Sequence, residues 1–125
     1  MEKRTAEWFR QSDYDLESAE YMLKGGRNIY SVFLCHLAVE KALKGLYSEK
    51  LNAIPPKTHN LVRLMTLIGI TPPEGVGMFI ATLSESGIPT RYPEDMEKMQ
   101  TAFHEARVRD IIVKSTEVVT WIKKQ

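Results

Sequence analysis

Between Thr5 and Lys24 the residues Phe9, Ser12, Leu16, Ala19 and Leu23 recur at steps of three and four, while Glu17, Glu20 and Lys24 fall elsewhere on the wheel. That period predicts an amphipathic helix. Gly25-Gly26 ends it, because glycine enters the left-handed geometry of a helix C-cap without steric cost. From Asn28 to Leu51 the pattern changes. Leu34, Cys35, Ala38, Val39, Ala42, Leu43 and Leu46 make one broad apolar face, yet Tyr30, Phe33, Leu37 and Tyr47 stand on the other side of the same helix. A helix apolar on both sides must be covered on both, by more helices of the chain or by a second protomer. Set into that second face is a polar column, His36, Glu40 and Lys44, each four residues after the last and so stacked along one side.

Pro55-Pro56 breaks the next connection, and Thr58 or Asn60 is placed to cap a short helix through Leu61, Leu64, Met65 and Leu67 to Gly69. After Thr71-Pro72-Pro73 a further helix from Glu74 to Ser86 carries Val76, Phe79, Ile80 and Leu83, and the stretch Gly87 to Pro93 reads as a loop. The last segment, Pro93 to Lys123, reads as one long helix burying Met99, Phe103, Val108, Ile112, Ser115, Val119 and Ile122. No segment shows strand alternation. The expectation is an all-α domain over residues 1–125, a five-helix antiparallel up-and-down bundle with short elements between the second and last long helices.

Composition narrows the function classes. A formal charge of +1 gives no global electrostatic pull toward nucleic acid or a membrane surface, so any anion site must come from local clustering. The single cysteine, Cys35, allows no intramolecular disulfide and reads as a small core residue. The charged N-terminal stretch lacks the apolar run of a secretory signal, and no apolar run approaches the ~20 residues of a membrane span, so a cytoplasmic setting is expected. The three histidines lie far apart and no H-E-x-x-H or cysteine pair exists, which leaves no metal or cofactor to expect.

Four motifs occur in order: Trp8-Phe9 with Ser12, Asp15-Leu16 and Ala19; Cys35-His36-Leu37-Ala38-Val39-Glu40-Lys41-Ala42-Leu43-Lys44; Pro56-Lys57-Thr58-His59-Asn60-Leu61; and Thr90-Arg91-Tyr92-Pro93. Together they resemble the HEPN family, named for its occurrence in higher eukaryotes and prokaryotes and for proposed nucleotide binding. The resemblance covers nearly the whole chain. It implies a five-helix bundle, usually homodimeric, often encoded beside a minimal nucleotidyltransferase with which it forms a toxin and antitoxin pair. Members that cut RNA carry an arginine followed after four to six residues by a histidine. This chain has no such pair and is similar instead to the small bacterial and archaeal branch marked by E-K-A-L-K and T-R-Y-P.

The candidate site residues each admit two readings. Glu40 and Lys44 form a favourably oriented i,i+4 pair, common on helix surfaces, or fix the polar atoms of a ligand at an interface. His59, beside Lys57 and Thr58 at a helix start, is part of a cap or of a phosphate corner. Arg91, with Tyr92 in a proline-bounded loop, aims its guanidinium at a phosphate or at Glu40. Asp15, at the edge of the first apolar stripe, is expected to pair with Lys44 or Arg91. His104 near Arg107 and Arg109 reads as a solvated basic face, and Trp8 and Trp121 as packing anchors. The leading expectation is a homodimer that uses Phe33 and Leu37 as contacts. It binds nucleotide or RNA phosphate through Lys44, Lys57, His59 and Arg91, supported by Asp15, His36, Glu40 and Tyr92. The alternatives are a metal-independent ribonuclease using His59 or His36 with Arg91, and a structural dimerisation module.

Overall fold

The computed structural model describes residues 2–125 and contains helices only among them. Three are long: α1 (Lys3–Lys24), α2 (Asn28–Leu51) and α7 (Glu105–Lys123). Between the second and third lie α3 (Leu61–Ile68), α4 (Glu74–Glu85), α5 (Gly87–Arg91) and α6 (Met96–Ala102). Gly26, at φ 75°, turns the chain between α1 and α2, with the Arg27 N–H donating to the Met22 carbonyl at 2.7 Å to close the α1 terminus.

The antiparallel pairing of α1 and α2 is pinned by a ladder of buried hydroxyls. Thr5 donates to the Gly45 carbonyl at 3.2 Å, Ser12 to the Ala38 carbonyl at 2.7 Å, and Ser31 to the Ala19 carbonyl at 2.7 Å. Each rung is seven residues on from the last along both helices. Seven residues are close to two helical turns, so the rungs stay on one seam. Small residues along it let the two backbones approach. Gly45 marks the tightest point, where a Cβ would meet Phe9 Cε1 at 2.8 Å.

Helix α7 runs antiparallel to α1, with Arg109 and Ile112 beside Glu20 and Leu23, and with Lys123 on Asp13 at 2.6 Å. Val32, Cys35, Val39, Leu43, Leu64, Ile80, Val108, Val119 and Ile122 close the shared core. Most of the buried apolar side chains of α2 belong to it, which makes α2 the central helix.

Two predicted elements differ. The Gly87–Arg91 stretch, read as loop, forms a helical turn despite Pro89, because proline in the first turn removes only an N–H that has no helical partner there. The single helix expected from Pro93 to Lys123 is broken at Phe103–His104. Asp95 caps α6 by accepting from the Lys98 N–H at 3.1 Å, and His104 Nδ1 caps α7 by accepting from the Arg107 N–H at 3.3 Å. His104 is therefore a helix cap, and it stands exposed beside the exposed Arg107 and Arg109. The second apolar side of α2 is covered in part by the chain itself, through α3 and α5, leaving Phe33 and Leu37 half-buried and Tyr30 exposed.

Candidate functional site

The polar column of α2 faces the side that α3, the loop before it, and α5 cover. Its centre is Glu40, only 3% exposed. Four groups converge on this one carboxylate. Lys44 Nζ lies 3.1 Å from Oε2, the i,i+4 partner on the same helix. His59 Nδ1 lies 3.0 Å from Oε1 and 3.1 Å from Oε2. Arg91 Nη2 is 3.9 Å from Oε1, and His36 Nδ1 is 3.8 Å from the same oxygen.

The local sequence explains each placement. Asn60 caps α3 by accepting from the Arg63 N–H at 3.0 Å, and Thr58 Oγ1 accepts from the Asn60 N–H at 3.1 Å. The residue between those two capping side chains, His59, is thereby held at the mouth of the column. Helix α5 delivers Arg91 at its last position, where the guanidinium lies over the Phe33 ring with 4.9 Å between its carbon and the ring centroid. Lys44 similarly reaches past Trp8, with Nζ 5.9 Å from that ring. Flat aromatic faces beneath both cations hold them without consuming their hydrogen-bond donors.

A carboxylate buried this deeply needs compensation, and it has more than one charge of it. Lys44 and Arg91 supply two permanent cations against one carboxylate, and neither has a second carboxylate within ion-pair distance among the described residues. The excess is positive and largely enclosed, the Lys44 and Arg91 side chains being only 10% and 15% exposed, while the His59 side chain beside them is 60% exposed and opens the cluster to solvent. With Nδ1 committed to Glu40, a carboxylate that only accepts, His59 carries a proton on Nδ1, and its Nε2 donates to an approaching anion in the imidazolium form and accepts a proton in the neutral form. The arrangement suits binding of an anion with several oxygens, such as phosphate.

His36 is fully buried, and neither ring nitrogen has a hydrogen-bond partner. Burial pushes it down to about 4, against the pull of the Glu40 carboxylate and aided by the Arg91 and His59 charges. Its Nε2 edge is closed by α5: a Cβ on Gly87 would stand 2.7 Å from Nε2, so only glycine allows the helix to settle there. Burial likewise pushes the Cys35 thiol up to about 12, which leaves it inert as a nucleophile.

The structure thus brings together Lys44, His59, Arg91, Glu40 and His36. Asp15 is elsewhere: it pairs with Lys41 at 2.9 Å, not with Lys44 or Arg91. Lys41 projects toward α1, whereas Lys44 and Arg91 are engaged at Glu40. Burial raises the Asp15 carboxyl, with Lys41 opposing. Lys57 is exposed and joins no ion pair among the described residues, and Tyr92 is exposed at the end of α5. No pattern in the chain marks Phe33 and Trp8 as platforms or Gly87 as the seat on His36, since these contacts join residues far apart in sequence. Among the described residues no group of three or more His, Cys, Asp or Glu is placed to hold a metal, and no helix is long and apolar enough to cross a membrane.

A helical bundle whose central helix carries a buried carboxylate ringed by basic groups is the class of protein that this fold and site define. The HEPN domain model matches residues 5–125, and the chain belongs to the HEPN family. It is similar in structure to ST0689, an archaeal HEPN homologue, at 27% identity and a TM-score of 0.78, covering 99% of this chain and 98% of that one. It also shares its fold with TT1696 from Thermus thermophilus, at 20% identity and a TM-score of 0.85 over 98% of both chains. Among curated proteins none matches this chain.

Proposed function

We propose that this HEPN domain is a nucleotide- or RNA-binding module whose phosphate site is the Glu40 cluster, with Lys44, His59 and Arg91 as the contacting groups. One observation carries the reading: a single buried carboxylate positions two cations and an exposed imidazole, so that positive charge is in excess within a cluster that opens to solvent at His59. Glu40 acts as the anchor that orders the donors before the anion arrives, which lowers the conformational cost of binding. Lys57, on the loop that carries His59, adds long-range attraction. Calorimetric titration of mononucleotides and a short RNA tests this: binding is expected to be salt-sensitive and to be lost in Lys57→Ala/Arg91→Ala. Equal affinity in the variant and the wild type would move the site elsewhere.

The reading includes a homodimer and, from family membership, a minimal nucleotidyltransferase as partner in a toxin and antitoxin pair. A neighbouring reading frame with the nucleotidyltransferase G-S and D-x-D signature supports the partnership, and its repeated absence beside close relatives counts against it.

A second reading is favoured by the His59–Glu40 bond alone. A histidine oriented through Nδ1 by a carboxylate, with Nε2 free beside cations, is the form of a general base. In the binding-module reading metal-free protein leaves RNA intact. Cleavage that disappears in His36→Ala, His59→Ala or Arg91→Ala would instead promote a metal-independent ribonuclease.

A further inference from the structure

The Oε1 atom of Glu40 has more suitors than places. A carboxylate oxygen offers two lone-pair directions, and His59 Nδ1 takes one at 3.0 Å. The other is approached by His36 Nδ1 at 3.8 Å and by Arg91 Nη2 at 3.9 Å, both outside hydrogen-bond length. Lys44 and His59 serve Oε2. His36 and Arg91 therefore wait on the same acceptor from opposite environments. His36 is sealed in the interior with both nitrogens unpartnered. Arg91 sits at the rim on the flat face of Phe33, across which a guanidinium can slide.

We propose that His36 is a positioning residue that exchanges with Arg91 on Glu40: when Arg91 turns outward to a phosphate oxygen, the His36 Nδ1–H closes on Oε1 and keeps the buried carboxylate compensated. This rests on the phosphate-binding reading given above. The ring has to travel only ~1 Å to reach hydrogen-bond distance. It has a reason to do so, since an unpartnered buried imidazole and an unfilled lone pair of the buried carboxylate gain a bond together once Arg91 no longer approaches the same oxygen. Helix α5 links the two events, because Gly87, against Nε2 of His36, and Arg91 are the first and last residues of the same five-residue helix. The exchange uses the neutral tautomer of His36 that carries its proton on Nδ1, and in that form no proton is taken up.

The exchange is read by proton–nitrogen correlation spectra of the imidazole and guanidinium groups in the full chain, with inorganic phosphate as the probe. Phosphate is expected to shift the Arg91 Nε–H resonance and to move the His36 Nδ1–H downfield into slow exchange with water. Arg91→Ala is expected to show the same His36 signature with no phosphate present, and Arg91→Lys, which restores a cation at the rim, to return it toward the wild-type position. A His36 resonance unchanged in Arg91→Ala would overturn the exchange. So would phosphate that moves Arg91 and leaves His36 where it was. If phosphate moves no resonance of the cluster, the phosphate-binding reading itself fails, and Arg91→Ala alone then decides whether the two side chains compete for Glu40.

Discussion

Glu40 and His59, nineteen residues apart in the chain, meet through His59 Nδ1 at 3.0 and 3.1 Å from the two carboxylate oxygens. The contact joins a buried residue of the central helix to an exposed one on a capping loop. It ties the order of that loop to the charge state of the core, and the consequences can be measured.

Glu40→Gln keeps the shape of the side chain and removes its charge, leaving Lys44 and Arg91 facing each other without a counter-ion. Stability is expected to fall by about 2 kcal/mol, within the usual range for losing a charge-assisted bond, because both cations retain some access to water. Urea denaturation should show a lower midpoint at an unchanged slope. A midpoint equal to wild type would mean that the cluster contributes nothing to folding.

Gly87→Ala places a methyl group 2.7 Å from His36 Nε2. The methyl group pushes α5 and the ring apart, at a cost of about 1–3 kcal/mol typical of an overpacked contact. Arg91 moves with α5. Phosphate affinity should therefore drop several-fold while circular dichroism reports an intact helical fold. Unchanged affinity would show that α5 does not set the reach of Arg91.

His36 makes stability depend on pH. Its folded value of about 4 lies below the ordinary 6.5, so the unfolded chain binds the proton first as pH falls between those values. Stability is full above pH 6.5 and declines below it, by about 2 kcal/mol at pH 5 and about 3 kcal/mol at pH 4. Denaturant midpoints measured between pH 7 and pH 5 should follow this fall, and His36→Asn should flatten it. A wild-type curve as flat as the variant would mean that the imidazole is not held neutral by burial.

The sequence pattern was sufficient for the helices that build the core, because α1 and α2 each carry a regular stripe and end at Gly25-Gly26 and at Asn52 before the proline pair. It failed where a local signal competed with a longer one. The apolar period running through Met99, Phe103 and Val108 suggested one helix, yet within that run His104 caps the start of a new one. Pro89 suggested a loop, although the first turn of a helix tolerates it. In the site, the four-residue column of His36, Glu40 and Lys44 was visible as spacing. The approach of Arg91 to Glu40 was one of two readings of that residue, and the bond from His59 to Glu40 was not read at all, because spacing does not say how the loops fold back.

The half-buried Phe33 and Leu37, with exposed Tyr30 nearby on α2, are expected to lie in a homodimer contact. Sedimentation equilibrium at tens of micromolar should give twice the chain mass of 14.3 kDa, and Leu37→Glu should split the dimer by burying an unpaired charge. A wild-type chain that sediments as a monomer would remove this contact from the account.

The most direct test of the Glu40 cluster as a phosphate site is the salt dependence of binding to a short fluorescent single-stranded RNA, followed by anisotropy. For the wild type, log K should fall linearly with log salt. Arg91→Ala and Lys44→Ala should each weaken binding and flatten the slope by about 0.7, the contribution of one phosphate contact on a single strand. Lys114→Ala, on the exposed face of α7 where Lys114 pairs with Asp110, should match the wild type. Slopes and affinities that stay at wild-type values in both Arg91→Ala and Lys44→Ala would contradict the account.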